Sequence, residues 1–260
     1  MRFVDLAMVK PPADWEKKVT KAKAALAGKI DDHSEVWRCC KGNLRDASNK
    51  KCFYCEMKDI RSDGTVDHYR PKSKYQWAAF RFGNFRFACT FCNSKRTDRL
   101  TGEKGGKGNE FPLHDETKRA KCEADEALEI PLLLDPCEAG DPDFLDFDKS
   151  GSAVPKFSEN EDYFNFARAD KSIKLYHLNE SELIEARAEH SITLLEKIID
   201  AERALSRMQA GEVDALKDYN STVRDLKRAI SPEAEMSVFS RRIVQGHRNK
   251  KLVDAVIASA

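Results

Sequence analysis

The heptapeptide Val66-Asp67-His68-Tyr69-Arg70-Pro71-Lys72 lies between two Cys-x-x-Cys pairs. Cys52 and Cys55 form the first pair, and Cys89 and Cys92 form the second. Four cysteines in two short-range pairs are typical of a tetrahedral zinc site, which can close around local backbone alone. Because a closed site of four thiolates has no open position for a substrate, the sequence predicts a structural Zn²⁺ here.

Asp67 and His68 place a carboxylate beside an imidazole within this cysteine framework. Hydrolysis of a phosphodiester needs a base that takes a proton from water and a divalent ion that holds the phosphate. We expect His68 to be the base and Asp67 to bind Mg²⁺ or Mn²⁺, which prefer oxygen ligands. Asn93, directly after the last of these four cysteines, would supply the second oxygen. The pattern therefore predicts a metal-dependent phosphodiesterase.

The segment around the cysteines is strongly basic, although the net charge of the whole chain is only +1. Residues 38–107 contain 17 Lys and Arg against 7 Asp and Glu, a net charge of +10, which leaves −9 for the rest of the chain. Such a block is typical of a module that binds a polyanion. Four basic side chains near the Asp-His pair are expected to contact a nucleic-acid backbone with little base specificity: Arg70, Lys72, Lys95 and Arg96.

The length and composition indicate an intracellular protein that folds without disulfides. A chain of 260 residues can form one large domain or two small ones with an ample core. No apolar stretch is long enough to span a membrane, and the N-terminus does not resemble a signal peptide, so we expect cytoplasmic localisation and no membrane contact. Four further cysteines lack ligand spacing and are expected to be buried or incidental thiols: Cys39, Cys40, Cys122 and Cys137.

Hydrophobic periodicity predicts helices at both ends of the chain. Residues 14–27 have one amphipathic pattern, and residues 182–209 and 213–230 have two longer ones separated by Gly211. Ser231 followed by a proline predicts the start of a third C-terminal helix, with serine as its N-cap.

In the middle of the chain the sequence predicts only short elements and loops. A strand is predicted to run into Val66 to His68, and a short helix is predicted to begin near Cys92. The glycine-rich run 101–108 is predicted to be a flexible loop, and prolines make residues 109–165 irregular.

Together these patterns predict an α+β protein that is mainly helical and has four parts. The parts are an N-terminal helical segment (1–36), a zinc-containing core (37–110), an irregular connecting region (111–180) and a helical C-terminal region (181–260).

The order of the motifs over residues 50–100 resembles that of HNH endonucleases, whose ββα-metal core is often stapled by four cysteines and zinc. The resemblance implies that His68 is the general base, that Asp67 is the metal ligand beside it, and that Asn84 orients the loop bearing the base. Asn93 matches the third motif position, a metal ligand that is His or Asn in the family. The order here is therefore His-Asn-Asn, and an asparagine suits Mg²⁺.

A wider resemblance links the chain to the PtuB-type HNH proteins of Septu and some retron anti-phage systems. It is carried by the heptapeptide 66–72, by Gly108-Asn109-Glu110-Phe111-Pro112-Leu113 and by residues 129–136. The resemblance implies the effector nuclease of an anti-phage system, controlled by a PtuA-like ATPase partner. The helical C-terminal third would then dock this ATPase, or it would form only an internal bundle.

Two other interpretations remain open. A non-catalytic zinc ribbon that binds nucleic acid or acts as an adaptor would explain the cysteines, but it would not need Asp67, His68 and Asn93. A stand-alone restriction-type nuclease is a second alternative, although no domain that reads modified DNA is identifiable. DNA is the expected substrate and RNA the alternative.

Three further residues with side chains able to bind a metal are expected to have other roles. Glu129 and Asp135 are expected to have turn or capping roles rather than to bind the metal, and His114 is expected to lie outside the site.

Overall fold

The computed structural model describes residues 1–25, 29–58 and 63–257. The chain forms two compact units. The first contains Met1–Leu145 and Val154–Glu180, and the second contains Asp146–Ala153 and Ser181–Ala260. The first unit thus joins the N-terminal segment, the cysteine-bearing core and most of the connecting region.

Three helices precede the first cysteine pair: α1 (Trp15–Ala24), α2 (Glu35–Arg38) and α3 (Lys41–Ala47). Helix α1 is the predicted N-terminal helix, and the last two residues of that prediction lie outside the described residues. The apolar faces of these helices share one core with the aromatic residues of the cysteine-bearing segment: Trp15, Val19, Ala22, Val36, Trp37, Leu44, Phe53, Phe80, Phe85 and Phe87.

The cysteine-bearing segment folds as two strands followed by a short helix. Strands β1 (Thr65–His68) and β2 (Phe85–Ala88) pair antiparallel, which confirms the predicted strand. Helix α4 (Thr90–Asn93) follows β2 almost directly, and Cys89 caps it by accepting a hydrogen bond at its sulfur from the Cys92 amide. Asn93 therefore lies at the end of α4, close in sequence to the second cysteine pair.

Residues 105–107 of the glycine-rich run are buried and part of the run is a strand, so the prediction of a flexible loop over 101–108 is wrong. Strands β3 (Arg96–Thr97) and β4 (Lys104–Gly105) form a second antiparallel hairpin. Gly106 has a φ of +81°, and a Cβ atom there would lie 1.9 Å from the backbone oxygen of Ser94. The glycines thus permit a close approach between two backbones, a role they can have as readily as giving freedom.

Residues 109–165 contain little regular structure, as the prolines predict, but part of this region is deeply buried. Leu133 and Leu134 are fully buried. Their backbone oxygens accept hydrogen bonds from the Tyr69 hydroxyl at 2.7 Å and from the Tyr176 hydroxyl at 2.8 Å, respectively. Irregular backbone is stable inside a protein when side chains satisfy its polar groups, as they do here.

The remaining elements of this part of the chain are short. Strands β5 (Leu145–Phe147) and β6 (Ala153–Pro155) form a third two-stranded sheet, and α5 (Tyr163–Leu175) follows. Short 3₁₀ helices lie at Leu6–Met8, Ile30–His33, Gln76–Ala78, Phe82–Asn84, Glu116–Lys118, Glu123–Leu128 and Asp141–Phe144.

The second unit is built mainly from four helices: α6 (Ser181–Gln209), α7 (Ala215–Ile230), α8 (Ser237–Gln245) and α9 (Lys250–Ile257). The two long predicted helices are confirmed as α6 and α7, with Gly211 between them at a φ of +89°. The helices share one apolar core: Leu194, Ile198, Ala201, Val223, Leu226, Ile230, Val244, Leu252 and Val256.

The helix predicted to begin at Ser231 is wrong, because the next helix begins only at Ser237. The proline that follows Ser231 favours extended backbone at the serine, and Ser231 has a ψ of 154°. The chain then turns, with the Ala234 amide donating to the Ser231 oxygen, and Met236 takes a left-handed φ of +51° before α8.

The chain is thus an α+β protein in which helices account for close to half of the residues and the sheets are small. Among the described residues, no helix has both the length and the apolar character needed to cross a bilayer.

Candidate active site

The four predicted zinc ligands converge on one point. The sulfurs of Cys52, Cys55, Cys89 and Cys92 all lie within 4.8 Å of one another, and all four residues are buried. The sulfurs of Cys55 and Cys89 are 3.8 Å apart, and a tetrahedral zinc with Zn–S bonds of about 2.3 Å separates its sulfurs by about 3.8 Å. Burial alone would raise the pKa of Cys52, but hydrogen bonds from the other three sulfurs lower it well below its ordinary value. The donor set therefore fits a closed Zn²⁺ site.

The turn that carries the first cysteine pair is fastened by a buried ion pair. Lys51 and Glu56 flank this turn, and their charged groups lie 3.0 Å apart with both side chains 3% exposed. The Glu56 amide donates to the Cys52 oxygen, and the Cys52 amide donates to the Met57 oxygen. The turn is therefore stabilised by an ion pair and backbone hydrogen bonds that do not involve the four sulfurs.

His68 is held in one orientation by a backbone carbonyl. Its Nε2 atom lies 3.0 Å from the oxygen of Ala79. Because a carbonyl only accepts hydrogen bonds, Nε2 carries the hydrogen and Nδ1 keeps its lone pair. The rings of Trp37 and Phe85 pack edge-on against the imidazole, with centroids 5.0 and 5.1 Å away. Burial lowers the pKa of His68 to about 4, so the ring is neutral at pH 7 and its Nδ1 lone pair is not protonated.

Asn84 holds the loop that supplies this carbonyl. Its Oδ1 atom accepts from the Arg70 amide at 2.7 Å, and its Nδ2 atom donates to the Arg70 oxygen at 2.9 Å and to the Ala78 oxygen at 3.1 Å. The side chain is buried, so these bonds are shielded from water. Asn84 therefore ties both ends of the loop 70–79, and Ala78 directly precedes the carbonyl that contacts His68.

Asp67 is buried between two donors that the sequence analysis did not single out. Its Oδ1 atom accepts from the Lys107 ammonium at 2.9 Å, and its Oδ2 atom accepts from the Tyr54 hydroxyl at 2.5 Å. The Lys107 ammonium also donates to the His68 backbone oxygen at 2.7 Å. The available signals were indirect: Lys107 is flanked by glycines, and Tyr54 lies inside the first Cys-x-x-Cys pair.

Asp67, His68 and Asn93 line one cavity of about 250 Å³. The Asn93 Nδ2 atom donates to the Thr65 hydroxyl at 2.9 Å, so its amide oxygen is the atom that it offers to a cation. A carboxylate has about four lone-pair sites, so Asp67 can still accept beyond its two hydrogen bonds. Two oxygen donors in one polar cavity fit Mg²⁺ or Mn²⁺, which keep several waters when bound. The cavity is also lined by Val66, Pro71, Lys72, Ser94, Gly108 and Asn109.

Of the four basic residues predicted to contact nucleic acid, one lines this cavity and two come directly after a lining residue in the sequence. Lys72 is part of its lining. Lys95 and Arg96 follow the lining residue Ser94; the Lys95 ammonium is 3.5 Å from a Glu110 carboxylate oxygen, and both side chains are about half exposed. The Arg96 guanidinium lies 3.7 Å from the centre of the Phe91 ring, a cation–π contact.

Arg70, the fourth, is engaged within the protein and is not part of the cavity lining. Its guanidinium lies 2.9 Å from Glu126 and 2.8 Å from Glu129, and its side chain is 13% exposed. Glu129 is fully buried at its side chain and also accepts from the Tyr75 hydroxyl and the Ala120 amide. In the structure Glu129 therefore anchors Arg70.

Asp135 and His114 are likewise absent from the cavity lining. Both Asp135 carboxylate oxygens accept from the Arg86 guanidinium, at 2.7 and 2.6 Å. Asp135 also accepts from the Cys137 amide, the kind of turn contact that was expected of it. His114 is exposed and packs its ring edge-on against Phe164.

Comparison with known proteins gives one informative similarity. The chain is 31% identical over 125 residues to the Septu protein PtuB of Bacillus mycoides, an alignment that covers 43% of this chain and 39% of that protein. The chain thus spans well under half of the length of this relative. No family model matches the chain, and no solved structure is similar to it.

Proposed function

We propose that this chain is a metal-dependent nuclease of the HNH type and a component of a Septu-like anti-phage defence system. One observation carries the nuclease proposal: His68 shares a cavity with the oxygen donors of Asp67 and Asn93. The Ala79 carbonyl holds the hydrogen of His68 on Nε2, which leaves the Nδ1 lone pair free. The similarity to the Septu protein PtuB supports the role in defence.

The roles of the residues follow from their contacts. Asp67 and Asn93 would hold Mg²⁺ or Mn²⁺, which when bound would position the scissile phosphate and stabilise the charge on the leaving oxygen. His68 takes a proton from the attacking water at Nδ1, while Nε2 keeps its own hydrogen and donates it in a hydrogen bond to the Ala79 oxygen. Asn84 keeps that carbonyl in place by bonding the loop 70–79 at both ends.

The local fold is consistent with an HNH core. Strands β1 and β2 followed by α4 give the order strand, strand, helix, with His68 at the end of β1 and Asn93 at the end of α4. The four cysteines would hold a structural Zn²⁺ that fixes the start of α4, since Cys89 and Cys92 lie at and within this helix. Lys72 would bind the nucleic-acid backbone at the cavity.

The defence role brings a partner into the proposal. An ATPase of the PtuA type would hold the nuclease in check and release it on infection, and the helical second unit is the candidate for docking it. DNA is the proposed substrate. A zinc ribbon that only binds nucleic acid is the competing function, and it gives no reason for a buried histidine with one fixed tautomer beside two oxygen donors.

A cleavage assay with the purified chain tests the nuclease proposal. Supercoiled plasmid and a structured RNA are incubated separately with the chain alone, in Mg²⁺, in Mn²⁺ and in EDTA. We expect cleavage of the plasmid with either metal and none in EDTA. The nuclease proposal fails if neither nucleic acid is cut in any metal, or if cutting is equal in EDTA.

A further inference from the structure

A buried ammonium group touches both residues at the centre of the proposed chemistry. Lys107 is fully buried, and its Nζ atom lies 2.9 Å from Asp67 Oδ1 and 2.7 Å from the backbone oxygen of His68. We propose that Lys107 is a positioning residue, a built-in cation that fixes the Asp67 carboxylate and the end of β1 and weakens the binding of the divalent ion. This inference rests on the proposed nuclease function.

The backbone on either side of Lys107 holds this residue beside Asp67. Gly106 lets the backbone pass so close to Ser94 that any Cβ atom would overlap the Ser94 oxygen. The Lys107 amide then donates to the Cys92 oxygen at 2.8 Å, which ties the lysine to the second cysteine pair. A buried charge is costly unless it is paired, so a lysine placed in this way needs the Asp67 carboxylate as its counter-ion.

A second donor completes the orientation of the carboxylate. The Tyr54 hydroxyl binds Asp67 Oδ2, and the Tyr54 ring is stacked on the ring of Tyr176, with centroids 3.9 Å apart. Both carboxylate oxygens therefore rest on donors from buried side chains. Since neither Lys107 nor Tyr54 is free to move into solvent, the direction in which Asp67 faces the cavity is set before any ion binds.

The charge of Lys107 has an effect that can be separated from its shape. The carboxylate and the ammonium cancel one another, so a divalent ion meets less negative charge than Asp67 alone would present. The lysine thus gives orientation at the expense of metal affinity. Lys107→Met keeps most of the side-chain volume and removes the charge, so metal binding should tighten while turnover slows. If Lys107 had only a structural role, Lys107→Met would weaken metal binding and also slow turnover.

The test compares the wild-type chain with Lys107→Met and with Lys104→Met, an exposed lysine in the same segment. Mn²⁺ binding is measured by calorimetry, and kcat is measured at saturating Mn²⁺. We expect the half-saturating Mn²⁺ concentration of Lys107→Met to fall at least about fivefold and its kcat to fall about 10- to 100-fold. Lys104→Met should match the wild type in both. The inference is overturned if Lys107→Met, at wild-type zinc content and Tm, binds Mn²⁺ no more tightly or turns over at the wild-type rate.

A second variant decides the case in which Lys107→Met does not fold. The double variant Asp67→Asn with Lys107→Met removes both charges, so it should regain the zinc content and a Tm above that of either single variant. No recovery would overturn the pairing. A wild-type chain that neither binds Mn²⁺ nor cleaves nucleic acid would instead refute the nuclease proposal, and the Tm comparison would still decide whether Lys107 and Asp67 act as a pair.

Discussion

Asp67 and Lys107 form a buried ion pair 2.9 Å long, in which the side chains are 4% and 0% exposed. This pair changes what a substitution of Asp67 reports. Replacing the carboxylate leaves a buried ammonium without its counter-ion, and breaking a buried pair in this way costs about 3–5 kcal/mol. Loss of activity in an Asp67 variant therefore mixes loss of the proposed metal ligand with loss of stability.

Asn93→Ala separates the two effects. Asn93 is only partly buried, and its side chain makes a hydrogen bond to Thr65, worth about 1 kcal/mol. We expect Asn93→Ala to lose Mg²⁺-dependent cleavage with little change in stability, and Asp67→Ala to lose both. Urea unfolding and a Mg²⁺ titration of cleavage measure the two quantities. Wild-type cleavage by Asn93→Ala at low Mg²⁺ would remove Asn93 from the metal site.

The cysteine cluster gives a prediction about zinc. Cys52→Ser or Cys92→Ser should lower the zinc content and the Tm sharply, because a structural zinc contributes on the order of 10 kcal/mol to folding in small modules. Cys122→Ser is the matched control, since Cys122 is exposed and outside the cluster. Zinc content is measured by elemental analysis of the purified proteins. If Cys52→Ser stayed zinc-replete and as stable as the control, the four-cysteine zinc site would be refuted.

Lys72 and Arg70 are expected to differ in the way they affect nucleic-acid binding. Each phosphate contact contributes about one to the slope of log K against log salt, so Lys72→Ala should reduce that slope by about 1. Arg70→Ala should leave the slope unchanged and lower stability instead, because it removes the guanidinium that pairs with the buried Glu129 carboxylate. Fluorescence anisotropy with a labelled duplex at several salt concentrations provides the slopes. A reduced slope for Arg70→Ala at wild-type Tm would restore Arg70 as a backbone contact.

One flank of α6 exposes apolar side chains that the helical bundle does not cover. Ile192, Leu195 and Ile199 are 59%, 44% and 46% exposed, and their spacing places them on one side of the helix. If this flank docks the ATPase, Leu195→Glu with Ile199→Glu should abolish co-purification with it while zinc content and Tm stay at wild-type levels. Val213→Glu, at an exposed position outside the flank, is the control. An intact complex with the double variant would leave the helices as an internal bundle.

The features that the sequence predicted well are those that depend on residues close together in the chain. Both cysteine turns, the strand ending at His68 and the long helices α6 and α7 arise from local spacing and periodicity. Asp67 and His68 are adjacent in the sequence, and in the structure both line one cavity with Asn93.

The features that the sequence did not predict depend on contacts between distant residues. Lys107 meets Asp67 across 40 positions of the chain, and Arg70 meets Glu129 across 59. By local rules, a lysine between glycines such as Lys107 predicts a loop. It becomes part of a site only because the fold brings it to the Asp67 carboxylate. From the sequence, Arg70 is expected to contact nucleic acid because it lies beside the Asp-His pair. Its ion pair with Glu129 gives no local signal, since the two residues are 59 positions apart.

The most direct test of His68 as the general base is the single-turnover rate of plasmid cleavage by His68→Ala, compared with His114→Ala as the exposed-histidine control. Both variants are assayed in saturating Mg²⁺ at matched zinc content. We expect His68→Ala to lose at least about 100-fold in rate, the contribution of a general base, while His114→Ala cleaves like the wild type. Cleavage by the zinc-loaded, folded His68→Ala variant at the wild-type rate would contradict the assignment of His68 as the base of a nuclease.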